Sequence, residues 1–437
     1  MSRRVPLSRE PLEVEVDGFT HGGEGVARIE GKAVFVAGAL PGERVVVRVV
    51  DDRARWARAE LVDVVVASPD RVAPPCPYVG DCGGCDLQHA SPDAQRRLLT
   101  RVVREQFARI GGLDAGALDA LVVECRAVGP DLGYRDHAHL TAGEGGRLGF
   151  HRAGSHEVVP IDHCAVLSPG AQRARSVLGD ATGATAVTVR TDGVRAVAVV
   201  HPGPGPLELP DVEAAPDLDL VLAQDGRAAV ALRGDGILVH DIDGLALAQP
   251  PGAFFQVGRH AALALVAEVM AGVGEVTGAL VWDLYAGVGL LSLPLARAGA
   301  EVVAVESDHE AAEAARTNAR RNDLDLEVVT SEVIAFTARA AAAAGGELGP
   351  ALQPPELPLD PPEVVVLDPP RSGAGPEVVE QLARLAPTRI VAVGCDVASA
   401  ARDVSALVAA GYRLERVVPL QLFPMTHHVE LVATLSR

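Results

Sequence analysis

VWDLYAGVGLLSLPLA (residues 281–296) reads as an apolar strand, a glycine-containing turn and the start of a helix. Gly287 and Gly289 let the backbone approach a ligand closely, and the helix N-terminus behind them favours polar or charged groups. The next apolar run, AEVVAVE, ends in Glu306, where an acid can take both hydroxyls of a ribose. Two more runs, PEVVVLD and RIVAVGC, alternate with alanine-rich helical stretches from residue 253 onward. That alternation predicts a doubly wound parallel sheet. Glycines after one strand and an acid ending the next point to an adenosyl cofactor. NAD fits less well, because the third glycine of its fingerprint is absent.

Working outward, three more segments reach the same edge of the sheet. DPPRSG (368–373) follows a strand, so Asp368 points out of the carboxyl edge and two prolines stiffen the loop behind it. VAVGCDVASAARDV (391–404) places Cys395 at the end of the next strand. A cysteine in a sheet is usually a small apolar filler. This one lies one strand–helix–strand step beyond Asp368, which brings both loops over one pocket, where a thiolate is a nucleophile. FPMTHHVELVATL (423–435) carries His427, His428 and Glu430 into a last strand that faces the pocket as well.

Upstream, residues 11–66 hold five short strand-like runs with a Pro41-Gly42 turn, which predicts a small OB-like barrel. Arg48, Arg53, Arg55 and Arg58 offer either a local basic patch or a solvated strand edge. CPYVGDCGGCDLQH (76–89) then clusters Cys76, Cys82 and Cys85 in a chain of six cysteines. In a reducing compartment such a cluster is a metal site before it is a disulfide framework. Soft thiolates favour zinc or an iron–sulfur cluster, with Cys125 or Cys164 as the fourth ligand. No histidine pair at finger spacing accompanies them.

Ser91 and Pro92 open a helix whose Leu98, Leu99, Val102, Val103, Phe107 and Ile110 recur at helical spacing, with arginines on its other side. Residues 120–250 are β-rich, and the second half of 338–362 reads as an exposed insertion without chemistry. A net charge of −19 argues against a blanket nucleic-acid binder but leaves room for a local basic face. No apolar run reaches the roughly 20 residues that span a bilayer, and the N-terminus lacks a signal peptide's apolar stretch. A cytoplasmic protein with no membrane partner is expected.

Taken together and in order, these blocks resemble the RNA uridine-5-methyltransferases, particularly the 23S rRNA branch with an N-terminal TRAM barrel and a [4Fe-4S] cluster. The likeness rests on C-x5-C-G-G-C-x2-Q-H, GYRDHAHL (133–140), GFHRAGSHEVVPIDHC (149–164), AFFQVGRH (253–260), DLYAGVG, DPPR, the Cys395 loop and FPMTHHVE. It implies a multidomain α/β protein: a TRAM barrel in 1–68, a central iron–sulfur and RNA-binding unit in 69–250, and a Rossmann-like methyltransferase unit in 251–437. The helix of residues 92–110 is expected to pack on the last of these. By the resemblance, Cys76, Cys82, Cys85 and Cys164 hold the cluster, and Cys125 matches nothing. Gln256, Tyr285, Gly287, Gly289, Leu290, Glu306 and Asp368 fall where the family binds S-adenosylmethionine, and Glu332 at a position near its adenine. Cys395 matches the nucleophile and Glu430 the general base. The substrate implied is a uridine in structured RNA, 23S rRNA before tRNA, and the chain is expected to act as a monomer.

Three departures bear on this. Leu290 stands where many members have Asn or Thr, Met425 where Gln is common, and Asp396-Val397 where the family has Asn-Pro. A carboxylate beside Cys395 is expected to raise the thiol pKa and weaken the nucleophile. Two other readings therefore stay open: an RNA-binding iron–sulfur protein that no longer methylates, and a methylthiotransferase, which the x5 cysteine spacing and the DPPR block disfavour.

Overall fold

Strand Leu12–Phe19 buries Val14 and Val16 and exposes Glu13, Glu15 and Asp17, the two-residue period of a sheet with one wet face. Strands Glu24–Ile29, Lys32–Ala37, Arg44–Asp52 and Trp56–Val66 join it in a closed barrel, ordered first, second, third, fifth, fourth. Val34, Val36, Val45 and Val47 fill the interior. Outside, Arg48 pairs with Glu60, Arg53 with Asp51 and Arg58 with Glu24, so the basic patch is largely neutralised. This computed structural model describes residues 7–208, 212, 215–224, 227–345 and 360–437. The second half of the stretch 338–362, expected as an insertion, lies almost wholly outside them.

The β-rich middle of the chain is a seven-stranded sheet. Its order is Arg227–Arg233, Leu218–Gln224, Ala196–Pro202, Ala184–Thr191, His137–Ala142, Leu148–His151, Val158–Pro160. Helix Pro169–Leu178 packs on one face through Ala171, Ala174 and Leu178.

The C-terminal sheet sets the site. Glu327–Thr330, Glu301–Glu306, Leu280–Leu284, Val364–Leu367 and Arg389–Gly394 lie side by side and parallel. Glu430–Ser436 then runs antiparallel between Arg389–Gly394 and Arg413–Gln421. The chain proceeds from Leu280–Leu284 first to one side and then to the other. The crevice beyond that strand's carboxyl end is therefore the topological switch point, where ligands bind in such sheets.

Upstream segments complete this core. Strand Arg126–Ala127 extends the far edge of the sheet. Helix Pro92–Arg109, capped by Ser91 Oγ accepting from Ala94 N at 3.3 Å, buries Leu99, Val103 and Phe107 in one cluster with Ala401 and Val404. The hairpin Leu238–Ile242 and Leu245–Gln249 is held to helix His309–Arg321 by reciprocal amide bonds from Asn318 and Asn322 to the backbone of Ala248 and Ala246. Among the described residues no helix is long and apolar enough to cross a membrane.

Candidate active site

At the switch point the backbone turns sharply. Tyr285 takes φ +67°, rare for a residue with a bulky side chain, and Gly287 and Gly289 take +56° and +92°. A Cβ on Gly289 would stand 2.6 Å from Leu293 Cδ1, so side chains are excluded there. The turn is pinned to the neighbouring strand: Tyr285 N and Ala286 N donate to Val305 O at 3.0 and 3.1 Å. Gly287 N donates to Glu306 Oε2 at 2.8 Å, and Asp308 N to Glu306 Oε1 at 2.7 Å. Glu306 is thereby fixed at the lip of the crevice. Burial, with Asp403 and Glu332 nearby, pushes the Tyr285 phenol up to about 12. Glu332 is exposed just before helix Val333–Ala344. Leu290 is buried in the apolar layer beneath, so a polar ligand could use only its backbone. Gln256 is half-buried before helix Arg259–Val273 and makes no hydrogen bond to any of these groups.

Beside this crevice lie the groups suited to covalent chemistry. Cys395 is half-buried, and its thiol is pushed up to about 11 by burial, then by the carboxylates of Glu430 and Asp368, against the pull of Arg371. Glu430, 5% exposed at the start of the last strand, is held well above the usual carboxylate range by burial and by Asp368, with Arg371 opposing. Asp368 keeps an opening to the cleft, yet protein around it pushes its carboxyl up to about 7. Below, fully buried Asp283 is also raised to about 7 by burial, although it accepts a hydrogen bond from Ser292 Oγ. Two acidic side chains, Glu430 and Asp368, thus stand with Arg371 around the thiol.

The largest charges raising the Cys395 thiol are those of Glu430 and Asp368. Asp396 caps helix Val397–Ala409, its Oδ1 accepting from Ser399 N at 2.8 Å. The role is one an asparagine also fills.

Cys76, Cys82, Cys85 and Cys164 line one cavity together with Tyr78, Phe150 and other apolar groups. Burial, with the nearby thiols adding, raises Cys82 and Cys164 and pushes Cys85 up to about 12. Gln88 accepts from Cys76 N at 3.1 Å and also bonds the Cys85 side chain. Cys125 is elsewhere, buried among the side chains of the C-terminal core. Among the described residues, no three His, Cys, Asp or Glu side chains are placed to hold a single metal ion.

Comparison with known proteins places this geometry in a family. Residues 8–62 match the TRAM domain, and residues 245–437 match the tRNA (uracil-5-)-methyltransferase family. A 23S rRNA (uracil(1939)-C(5))-methyltransferase RlmD from Alkalilimnicola ehrlichii is 35% identical, covering 100% of this chain and 98% of that protein. The chain belongs to the RNA uracil-5-methyltransferase family. An RNA methyltransferase from Streptomyces avermitilis is 36% identical over 98% of each chain. The crystal structure of Pyrococcus abyssi tRNA (uracil-54, C5)-methyltransferase in complex with S-adenosyl-L-homocysteine superposes with a TM-score of 0.72 and 26% identity, over 97% of this chain and 100% of that one. The protein is an S-adenosylmethionine-dependent RNA uracil-5-methyltransferase. Sequence reasoning left some of this enzyme's pocket unassigned. Arg371 and Gln88 were in view within DPPR and the cysteine motif, but only the fold shows that one faces Cys395 and the other braces two cysteines.

Proposed function

We propose that the chain methylates carbon 5 of a uridine in 23S rRNA, with Cys395 as nucleophile and Glu430 as general base. The observation that carries this is the convergence of Glu430, Asp368 and Arg371 within electrostatic reach of the Cys395 thiol, beside the switch-point crevice. Curated full-length relatives above 30% identity, named as 23S rRNA enzymes, support the choice of RNA.

Carbon 5 of uracil is a weak nucleophile. Addition of the Cys395 thiolate to carbon 6 breaks the 5,6 double bond and places the electron pair on carbon 5. When bound, S-adenosylmethionine supplies the electrophilic methyl group. Gly287, Gly289 and Leu290 would bring backbone to it, and Glu306 would take the ribose hydroxyls. Tyr285, Glu332, Gln256 and Asp368 would line the remainder. Glu430, a stronger base than an ordinary carboxylate, then removes the proton from carbon 5. The electron pair restores the double bond and expels the Cys395 thiolate. The uridine must leave its stack to reach the thiol, with the barrel gripping neighbouring RNA backbone.

In the same proposal, Cys76, Cys82, Cys85 and Cys164 hold a [4Fe-4S] cluster. Four soft donors around one apolar-walled cavity are the donor set such a cluster would take. The cluster would act as a staple for an RNA-binding face.

The test uses purified holoprotein, methyl-labelled S-adenosylmethionine and separate 23S rRNA and tRNA substrates, natural and 5-fluorouridine-substituted. Label is expected in 23S rRNA, with a covalent complex on the fluorinated RNA that Cys395→Ala abolishes. Label in tRNA alone would overturn the substrate, and a complex that survives Cys395→Ala would overturn the nucleophile.

A further inference from the structure

The turn after the first barrel strand reaches across to the nucleophile loop. His21 Nε2 lies 3.3 Å from Asp396 Oδ2, and Asp396 directly follows Cys395. The Asp396 carboxylate can only accept, so Nε2 donates the proton, while His21 Nδ1 is buried without a partner among the described residues. The other oxygen of Asp396, Oδ1, accepts from Ser399 N at 2.8 Å. The Ser399 hydroxyl donates to Arg371 O at 2.8 Å, in the loop that carries Asp368. Asp396 and Ser399 together thereby join the barrel, the cap of the helix behind Cys395, and the Asp368 loop.

The approach of the barrel turn is close-fitted. At Gly23, φ is +81° and an added Cβ would stand 2.9 Å from His427 Cβ. The His21 and His427 rings meet edge to face at 6.5 Å. His427 in turn bonds Asp86, next to Cys85. This barrel turn therefore seats against two loops that are remote in sequence, one leading to the nucleophile and one to the general base.

We propose that His21 is a positioning residue for methyl transfer: by holding Asp396 it fixes the loop that carries the Cys395 thiol. Bond formation to carbon 6 then depends on the docked barrel. Covalent attack tolerates little misplacement, whereas the half-exposed contact itself contributes little to folding stability. The proposal rests on the reading of Cys395 as nucleophile.

The test measures two quantities on the full chain with its cofactor: the single-turnover rate of covalent complex formation at saturating 5-fluorouridine 23S rRNA, and the Kd for the same RNA. His21→Ala is expected to slow complex formation about tenfold with Kd unchanged. His21→Gln, whose amide can donate to Asp396, restores most of the rate. His21→Ala adds nothing further in an Asp396→Ala background. A weakened Kd with an unchanged saturated rate would make His21 an RNA contact and overturn the proposal. So would slowing that His21→Gln fails to relieve and that tracks a loss of Tm. No complex from the wild-type chain overturns the Cys395 reading itself, whereas a wild-type complex with an unaffected His21→Ala rate overturns His21 alone.

Discussion

At Cys395 two demands oppose each other. As the proposed nucleophile the thiol must ionise, yet burial, Glu430 and Asp368 push it up to about 11. In the cofactor-free protein the thiolate fraction therefore grows throughout the neutral and mildly alkaline range. Alkylation of Cys395 by iodoacetamide, followed by mass spectrometry, is expected to accelerate about tenfold per pH unit from 7 to 9 without a plateau. Levelling near pH 8 would show an ordinary thiol. Asp283 gives the opposite handle on pH. Its folded carboxyl, at about 7, lies above the unfolded value of about 4, so the native state binds more protons between them. That penalty is absent below about pH 4 and complete above about 7. Asp283→Asn should raise stability at pH 8 by on the order of 2 kcal/mol and leave it nearly unchanged at pH 4, read from Tm against pH. A gain equal at both pH values would place the effect outside ionisation.

Between elements, Gln95 carries an unusual share of the connections. It is fully buried in helix Pro92–Arg109, donates to Leu87 O and Ala90 O, and accepts from Gln421 Nε2 and Met425 N. Gln95→Leu keeps the volume and strands Ala90 O, Gln421 Nε2 and Met425 N, so a loss of about 3 kcal/mol in denaturant melts is expected. A loss below about 1 kcal/mol would mean those partners find substitutes. Met425 is tied in through its main chain: at φ +69° its carbonyl accepts from Asp86 N and Leu87 N, which fastens the cysteine loop to the segment leading to Glu430. The thiol cavity supplies the second test at this scale. Anaerobically purified protein should carry about four irons per chain, with broad absorbance near 400 nm. Cys85→Ser should lose most of the iron, and Cys125→Ala should keep it. Retained iron in Cys85→Ser would remove that cysteine from the ligand set.

Local signals made the catalytic half legible. The apolar runs at 281–284, 302–305, 364–367 and 390–393 have the length and flanking turns of buried parallel strands, and their carboxyl ends carry Glu306, Asp368 and Cys395. Five short strand-like runs within residues 11–66, with a Pro41-Gly42 turn, made the barrel equally plain. Contacts made by docking were not legible. His21 and Asp396, or Gln95 and Gln421, are hundreds of residues apart and follow no period. The contacts of Asp396 were hidden for that reason: adjacency in sequence shows a charge beside the thiol, but not that the helix and the barrel take up its two oxygens.

For the whole molecule, a chain with net charge −19 has to hold RNA against its own overall charge. Shape, bases displaced into the pocket and a docked barrel then matter more than general electrostatic attraction. The measurement that tests the central claim most directly is a site-resolved map of 5-methyluridine in the ribosomal and transfer RNA of cells with and without the gene. Loss at a single 23S rRNA uridine is expected, restored by the wild-type chain and not by Cys395→Ala. An unchanged map, or full restoration by Cys395→Ala, would contradict the account.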